Sequence, residues 1–311
     1  MPTEERSIPG TLNLVLLAAS TSVAGGLLWI AAHSQSGVVR LLAAVAFSFV
    51  NNTIFSLMHE AVHGIFHSRP FVNEIAGHVA AAFFPTAFSL QRAFHLTHHR
   101  NNRGELERFD YYSADENRLL KFAQWYSLLT GLYWLAPPAF CVAYAASAGI
   151  VPWTRLFSPG DRFGRQTSAA PFLESLNEVR PPRVRFEVVS SAALQLGLIY
   201  LLDLDFAAWA LCYACFAVNW SSLQYADHAF SPLDQREGAW NLRVNLVTRL
   251  IFLNYHHHLV HHRAPGVSWL HLPKLLADGD PNPSFWSIYR KMWAGPQPLP
   301  VAAGRNVPNG R

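Results

Sequence analysis

The sequence predicts an all-α membrane protein: about four transmembrane helices plus interfacial or re-entrant helices, with a cytosolic cap carrying clustered histidines. Three observations predict this. Hydrophobic residues make up 51% of the 311 residues and charged ones only 14%, against about 25% charged in soluble domains. Apolar stretches approaching the length of a hydrocarbon core recur along the chain. Nine of the fifteen histidines fall into four tight clusters, each following an apolar stretch.

Six apolar elements are expected. Residues 11–32 contain no ionisable group and would form a helix about 33 Å long, enough to span. The stretch is long for a signal-peptide core and its flank holds Glu4, Glu5 and Arg6, so an anchor that stays in the mature protein is expected. Residues 41–58 follow after a short polar link, which predicts an antiparallel hairpin. Residues 75–90 are interrupted by His78 and Pro85 and are too short to span, so they are expected to be interfacial or re-entrant. Residues 122–151 hold Pro137-Pro138 at their middle, which predicts one broken helix or two short helices dipping in and out. Residues 188–202 and 206–226 meet at Asp203-Leu-Asp205, a turn outside the membrane.

Charge orients these elements. Segment 92–121 carries Arg92, Arg100, Arg103, Arg108, Arg118 and Lys121, and segment 155–185 carries Arg155, Arg162, Arg165, Arg180, Arg183 and Arg185. The 33–39 and 203–205 turns carry no Lys or Arg. Both basic segments are therefore expected in the cytoplasm, and all four histidine clusters land on that face. An integral, multi-pass protein of a bacterial inner membrane, with both termini cytoplasmic, is expected. The net charge of +4 suits anionic headgroups or an acidic protein partner; no nucleic-acid partner is expected. Residues 1–295 read as one membrane domain and 296–311, rich in Pro and Gly, as a disordered tail.

The clusters are His59 and His63; His95, His98 and His99; His228; and His258, His261 and His262. Residues three or four apart share a helix face, so each cluster can present its rings to one volume. Neutral imidazole is a common ligand of transition metals, and nine such groups are about right for two ions. Imidazoles with open positions suit iron, copper, zinc or nickel; thiolates are absent from the clusters, which disfavours iron–sulfur chemistry. Gln224, one turn before His228, can meet a metal directly or through water. Asp227, Glu60, Asp110 and Asn254 are candidates to hold imidazole N–H groups. His67 shares the face of His63 but exceeds the expected count. His256 and His257 fall away from the face of the last cluster, and His33, His78 and His271 are read as non-ligands. Cys212 and Cys215 form a CxxC inside an apolar helix, where small buried side chains are the expected role.

HEAVHG at 59–64, HLTHHR at 95–100 and NYHHHLVHHRAPGVSWLHLP at 254–273 resemble the histidine boxes of the integral-membrane fatty acid desaturase superfamily. QYADH at 224–228 resembles the additional histidine found between the second and third boxes. The resemblance covers roughly residues 40–125 and 205–275, and departs in 122–185. It implies a non-haem di-iron site, with the nine histidines as ligands, in a cytosolic cap over a four-helix stem. By the same analogy Gln224 contacts iron through water. It further implies O2 as co-substrate, two electrons from an external ferredoxin- or cytochrome b5-type carrier, and a fatty acyl substrate. Desaturation is the expected reaction; related members are hydroxylases, carotenoid oxygenases and fatty acid decarboxylases. Two other classes compete. HExxH at 59–63 also fits a zinc protease with Glu60 as base, and a histidine-rich metal transporter would place its ligands near mid-membrane.

Overall fold

The computed structural model describes residues 7–105, 107–156 and 169–300; Glu4, Glu5, Arg6, Arg162, Arg165 and the tail from 301 lie outside these. The described chain is helical almost throughout. Its first half holds α1 (Gly10–His33), α2 (Gly37–Val62), α3 (Pro70–Phe83), α4 (Phe88–Asn101), α5 (Arg118–Thr130) and α6 (Ala136–Ser147). Its second half holds α7 (Ala169–Glu174), α8 (Pro181–Leu201), α9 (Phe206–Ala226), α10 (Leu246–Ile251), α11 (His258–Arg263) and α12 (Phe285–Met292).

Four of these helices, α1, α2, α8 and α9, are long and apolar enough to cross a membrane. They pack around Leu28, Ala44, Phe47, Ile54, Leu57 and Phe216. Their outward side chains are apolar as well: Val15, Leu42, Val189 and Leu196 are each more than half exposed. Such a surface would cost about 25 cal/mol per Å² in water, so lipid surrounds it. The two turns expected opposite the histidines meet there. Arg40 pairs with Asp205 at 2.7 Å and also donates to the Ala31 carbonyl. Asp205 caps α9 by accepting from the Ala208 amide. At the other end, Asn13 of α1 donates to the Phe66 carbonyl and accepts from Trp269. The chain after α9 therefore folds on the same side as the start of α1 and the end of α2.

The 75–90 stretch does not cross. Helices α3 and α4 form a re-entrant hairpin that turns at residues 84–87. A helix end inside hydrocarbon must find partners for its free carbonyls. The spanning helices provide them. Asn51 of α2 and Tyr213 of α9 donate to the Phe83 carbonyl, and Gln195 of α8 donates to that of Ala82. Gln195 is itself held by Trp209, which donates to its amide oxygen at 3.0 Å.

The 122–151 stretch is a second re-entrant unit. Helices α5 and α6, joined by the 3-10 turn Leu132–Leu135, are bent by 92°. The break is at Gly131, not at Pro137-Pro138 as the sequence suggested. The prolines occupy the first turn of α6, where a missing N–H leaves no bond unmade. Gly131 has φ +82°, and a Cβ there would lie 2.7 Å from the Val218 amide nitrogen. Val218 sits two turns before the end of α9, about 12 Å below it. Both ends of the unit return to the histidine side: Lys121 of α5 donates to the Arg108 carbonyl, and Arg185 donates to Ala148 just past α6.

The tail expected from 296 is partly structured. Gln297–Pro298 pair in parallel with Tyr111–Tyr112, the Gln297 and Leu299 amides donating to the carbonyls of Asp110 and Tyr112. Cys212 is a buried free cysteine in the core, as its apolar neighbours predict.

Substituting Gly131 by alanine is expected to destabilise the fold by about 2 kcal/mol or more, from the left-handed backbone and the contact with α9. Thermal unfolding in detergent checks this; an unchanged midpoint would mean that the elbow yields freely.

Candidate metal centre

The boxes meet where the helices end. His59 lies in the last turn of α2 and His63 caps it. His95, His98 and His99 lie on α4, His228 just follows α9, and His258, His261 and His262 ride on the short α11. The nine rings separate into two sets. Ligand atoms of His59, His63, His95, His99 and His261 all lie within 4.8 Å of one another, as do those of His98, His228, His258 and His262. The sets adjoin, with the His99 and His262 rings stacked at 4.3 Å.

In the five-histidine set, His95 Nε2 lies 2.9 Å from His63 Nε2 and 3.0 Å from His99 Nε2, which is 3.1 Å from His261 Nε2. Two nitrogens about 2.1 Å from one ion, at right angles, are about 3.0 Å apart. The spacing therefore suits a shared ion of that bond length. The buried His59 Nε2 and His262 Nε2 have no hydrogen-bond partner in the protein, a costly state unless a ligand takes the lone pair. Electrostatics agree. Burial, then repulsion from neighbouring rings, pushes His63 down to about 3 and His99 to about 2. The same two causes hold His228, His258, His261 and His262 well below the usual imidazole value. Neutral rings are the form that binds metal.

Partners behind the rings fix their orientation. His98 Nδ1 meets Glu107 Oε2 at 3.0 Å, and His228 Nδ1 donates to the Gly238 carbonyl at 2.8 Å. Each leaves Nε2 facing its own set. Asn102 lies 3.3 Å from His262 Nδ1. Glu107 and Asn102 escaped the sequence reading. They act only because the loop after α4 folds back under its helix, and no local periodicity marks that return.

That loop is held by a buried ion pair. Arg103 and Asp110 have fully buried side chains and bond bidentately at 2.6 and 2.9 Å. Asp110 also accepts from Tyr225 Oη and the Phe230 amide. It supports the loop and does not touch a histidine ring, unlike the role considered for it. Glu60 is likewise engaged elsewhere, accepting from the Trp269 amide at 3.2 Å.

The remaining candidates divide. Gln224 accepts from Tyr255 Oη at 3.2 Å and lines a cavity together with His95, His98 and His228. Asp227 is buried with both carboxylate oxygens unpartnered, and burial raises its affinity for a proton. Asn254 lies between Arg249 and the Trp269 carbonyl, away from both sets. His67 accepts from the Arg69 amide and belongs to neither set. His256 and His257 are buried outside both sets; His78 bonds Ser190, His271 bonds Ser7, and His33 bonds the Trp29 carbonyl.

Residues 36–283 match the fatty acid desaturase family. The chain belongs to the fatty acid desaturase family. The matched span contains all nine clustered histidines, both re-entrant units and helices α2 to α11. No curated protein matches the chain.

Beside the metal sets, this desaturase-family fold encloses a cavity of about 390 Å³. Its apolar wall includes Phe55, Phe94, Phe140, Phe172 and Trp220. Trp220 is in the wall, whereas Phe83, Phe84 and Phe88 pack in the core. The Phe84 ring meets that of Trp220 at a tilt, with centroids 4.7 Å apart.

Glu107→Gln is expected to weaken metal binding at the four-histidine set by about 10–100-fold while the five-histidine set fills normally. Metal titration with a count of bound ions per chain reads this directly; equal loss from both sets would contradict the orienting role of Glu107.

Proposed function

We propose that the protein is a membrane-bound non-haem di-iron oxidase that acts on C–H bonds of a fatty acyl chain, and that the reaction is O2-dependent desaturation. One observation carries the reading: nine clustered imidazoles, divided five and four, lie at the end of a membrane stem, and three of them, His95, His98 and His228, line an apolar cavity. One iron would be held by His59, His63, His95, His99 and His261, the other by His98, His228, His258 and His262. Gln224 supports a bound water at the second set, since its amide nitrogen is buried, unpartnered and beside His228. The chemistry supplied by the bound irons is activation of O2 to break an unactivated C–H bond, which side chains cannot do alone.

The protein's own part is placement and insulation. Phe94, Phe140, Phe172 and Trp220 hold an apolar chain against His95 and His98. Glu107 and the Gly238 carbonyl keep two rings turned toward their ion. Burial keeps water from competing for the oxidant. The overall balance is –CH2–CH2– plus O2, two electrons and two protons giving –CH=CH– and two waters. The electrons come from a separate ferredoxin- or cytochrome b5-type carrier on the histidine side. That side is read as cytoplasmic: Arg100, Arg108, Arg118, Arg180 and Arg183 gather there, against Arg40 alone beside the opposite turns.

Two observations favour this over the other classes. Glu60 faces the Trp269 backbone and does not line the cavity, so the HExxH segment lacks a base beside bound substrate. Both histidine sets sit at helix ends on one side, rather than along a path through the stem.

Lipids from cells expressing the chain are expected to contain new double bonds by mass spectrometry. His98→Ala and His261→Ala should abolish them, each with loss of at least one of two irons per chain and retained helicity. Full turnover at normal iron content in either variant would defeat the ligand assignment. New hydroxyls, released hydrocarbons or oxidised carotenoids would move the protein to hydroxylase, decarboxylase or carotenoid oxygenase chemistry.

A further inference from the structure

The described lining of the cavity is mostly buried toward the cap and exposed at the elbow of the second re-entrant unit. Toward the cap its described lining includes Asn102, Glu107, Leu128 and Tyr225, all buried, with Phe109 half-buried beside them. This side is stiff: Tyr225 Oη donates to Asp110 and receives from Arg103 and the Phe109 amide. At the elbow of the second re-entrant unit the situation reverses. Tyr133 and Ala136 line the cavity and are themselves exposed, Tyr133 at 37%. Their neighbours Leu132 and Leu135 point outward and are more than half exposed.

The depth of that elbow is fixed by two contacts. Gly131 lies against Val218, and the Tyr133 ring is parallel to that of Trp220 with centroids 6.0 Å apart. Both partners belong to α9, and they lie roughly 9–12 Å below its histidine-side end at 1.5 Å per residue. The elbow is thus flanked by hydrocarbon, not by water or headgroups. The lining also discriminates by charge. None of the described lining residues is Lys or Arg, and Glu107 is acidic. A carboxylate or phosphate drawn into the cavity would lose its hydration with no cation to replace it.

Resting on the reading of this cavity as the oxidation site, we propose that the substrate is the apolar chain of a membrane-resident lipid. It passes sideways from the bilayer through a portal between Tyr133 and Ala136, with its headgroup left outside. Ala136 is the width-setting residue, since its small side chain leaves the gap that a larger one would fill. A water-soluble acyl thioester is the alternative the test opposes: its polyanionic carrier would have to deliver the chain past Asn102, Glu107 and Tyr225 with no described cation in the lining.

The test uses the full chain in phospholipid vesicles with a phosphatidylcholine bearing a diazirine near the end of one acyl chain. Irradiation is expected to label interior wall residues, Phe94 or Phe140, identified by peptide mass spectrometry. Ala136→Leu should reduce and Ala136→Trp should cut this interior labelling by about tenfold or more. Leu135→Trp, on the outer face of the same turn, should leave it unchanged. Helicity and bound iron, measured alongside, show that each variant is folded. Labelling confined to Leu132 and Leu135, or interior labelling indifferent to Ala136→Trp, overturns the portal. The readout needs no turnover, so the two readings fail separately. Interior labelling without any lipid oxidation keeps the portal and sinks the oxidase; oxidation of soluble acyl-coenzyme A without interior labelling does the reverse.

Discussion

Nine imidazole rings can share one small volume only if they carry no protons. Two charged rings a few ångströms apart, shielded from water, would repel by several kcal/mol at an effective dielectric near 20. The fold prevents this by burying them. His63 and His99, pushed down to about 3 and about 2, are uncharged at any physiological pH. Burial has its own cost, since each neutral ring still carries a lone pair and an N–H. The protein answers the N–H where it can, with Glu107 for His98 and the Gly238 carbonyl for His228. The lone pairs at His59 and His262 are left over. Outer nitrogens bonded at His98 and His228, with bare Nε2 atoms at His59 and His262, fit the binding of cations.

Where the rings come from follows from a second constraint, that no backbone group goes unpaired in hydrocarbon. The second box must reach the site from a helix that dips into the membrane and returns. That hairpin is tolerable because Asn51, Gln195 and Tyr213 donate to the carbonyls freed at its turn. These polar residues would otherwise look like a path for ions through the stem. Their hydrogen bonds end on the α3 backbone, so they serve the architecture. The Arg103–Asp110 pair does the same for the loop beyond α4. Breaking a buried pair of this kind typically costs about 3–5 kcal/mol, and here it would also release Glu107 from beneath His98.

Much of this was legible in the sequence, and the reasons are specific. Apolar length marked α1, α2, α8 and α9; Pro85 and the short run around it marked the first re-entrant unit. Histidine spacing brought the nine rings to one end. It did not reveal how they divide. His98 and His99 are neighbours, as are His261 and His262, and adjacent helical residues point about 100° apart. Each pair is therefore split between the two sets, which a reading by shared face does not anticipate. The elbow at Gly131 was hidden for a related reason. A proline pair is a visible breaker, whereas the need for a left-handed residue against Val218 exists only once α9 is packed beside it.

The two re-entrant units then divide the labour of the site between them. The first carries the ligands of the second box up from within the membrane, and the second brings the outer wall of the cavity down to meet it. Because α5 and α6 do not cross, their elbow is free of the packing that a spanning helix would need on all sides, and Leu132 and Leu135 face outward. A wall of this kind ends inside the bilayer, so whatever gap it leaves opens to hydrocarbon. Had α5 and α6 formed a fifth span, the same residues would have been sealed against lipid and the cavity would have had to open toward the cap. On the cap side the lining includes Tyr225, whose hydroxyl is bonded to the buried Asp110–Arg103 pair. The bend at Gly131 therefore turns α5 and α6 back to the histidine side and sets how deep the outer wall of the cavity reaches.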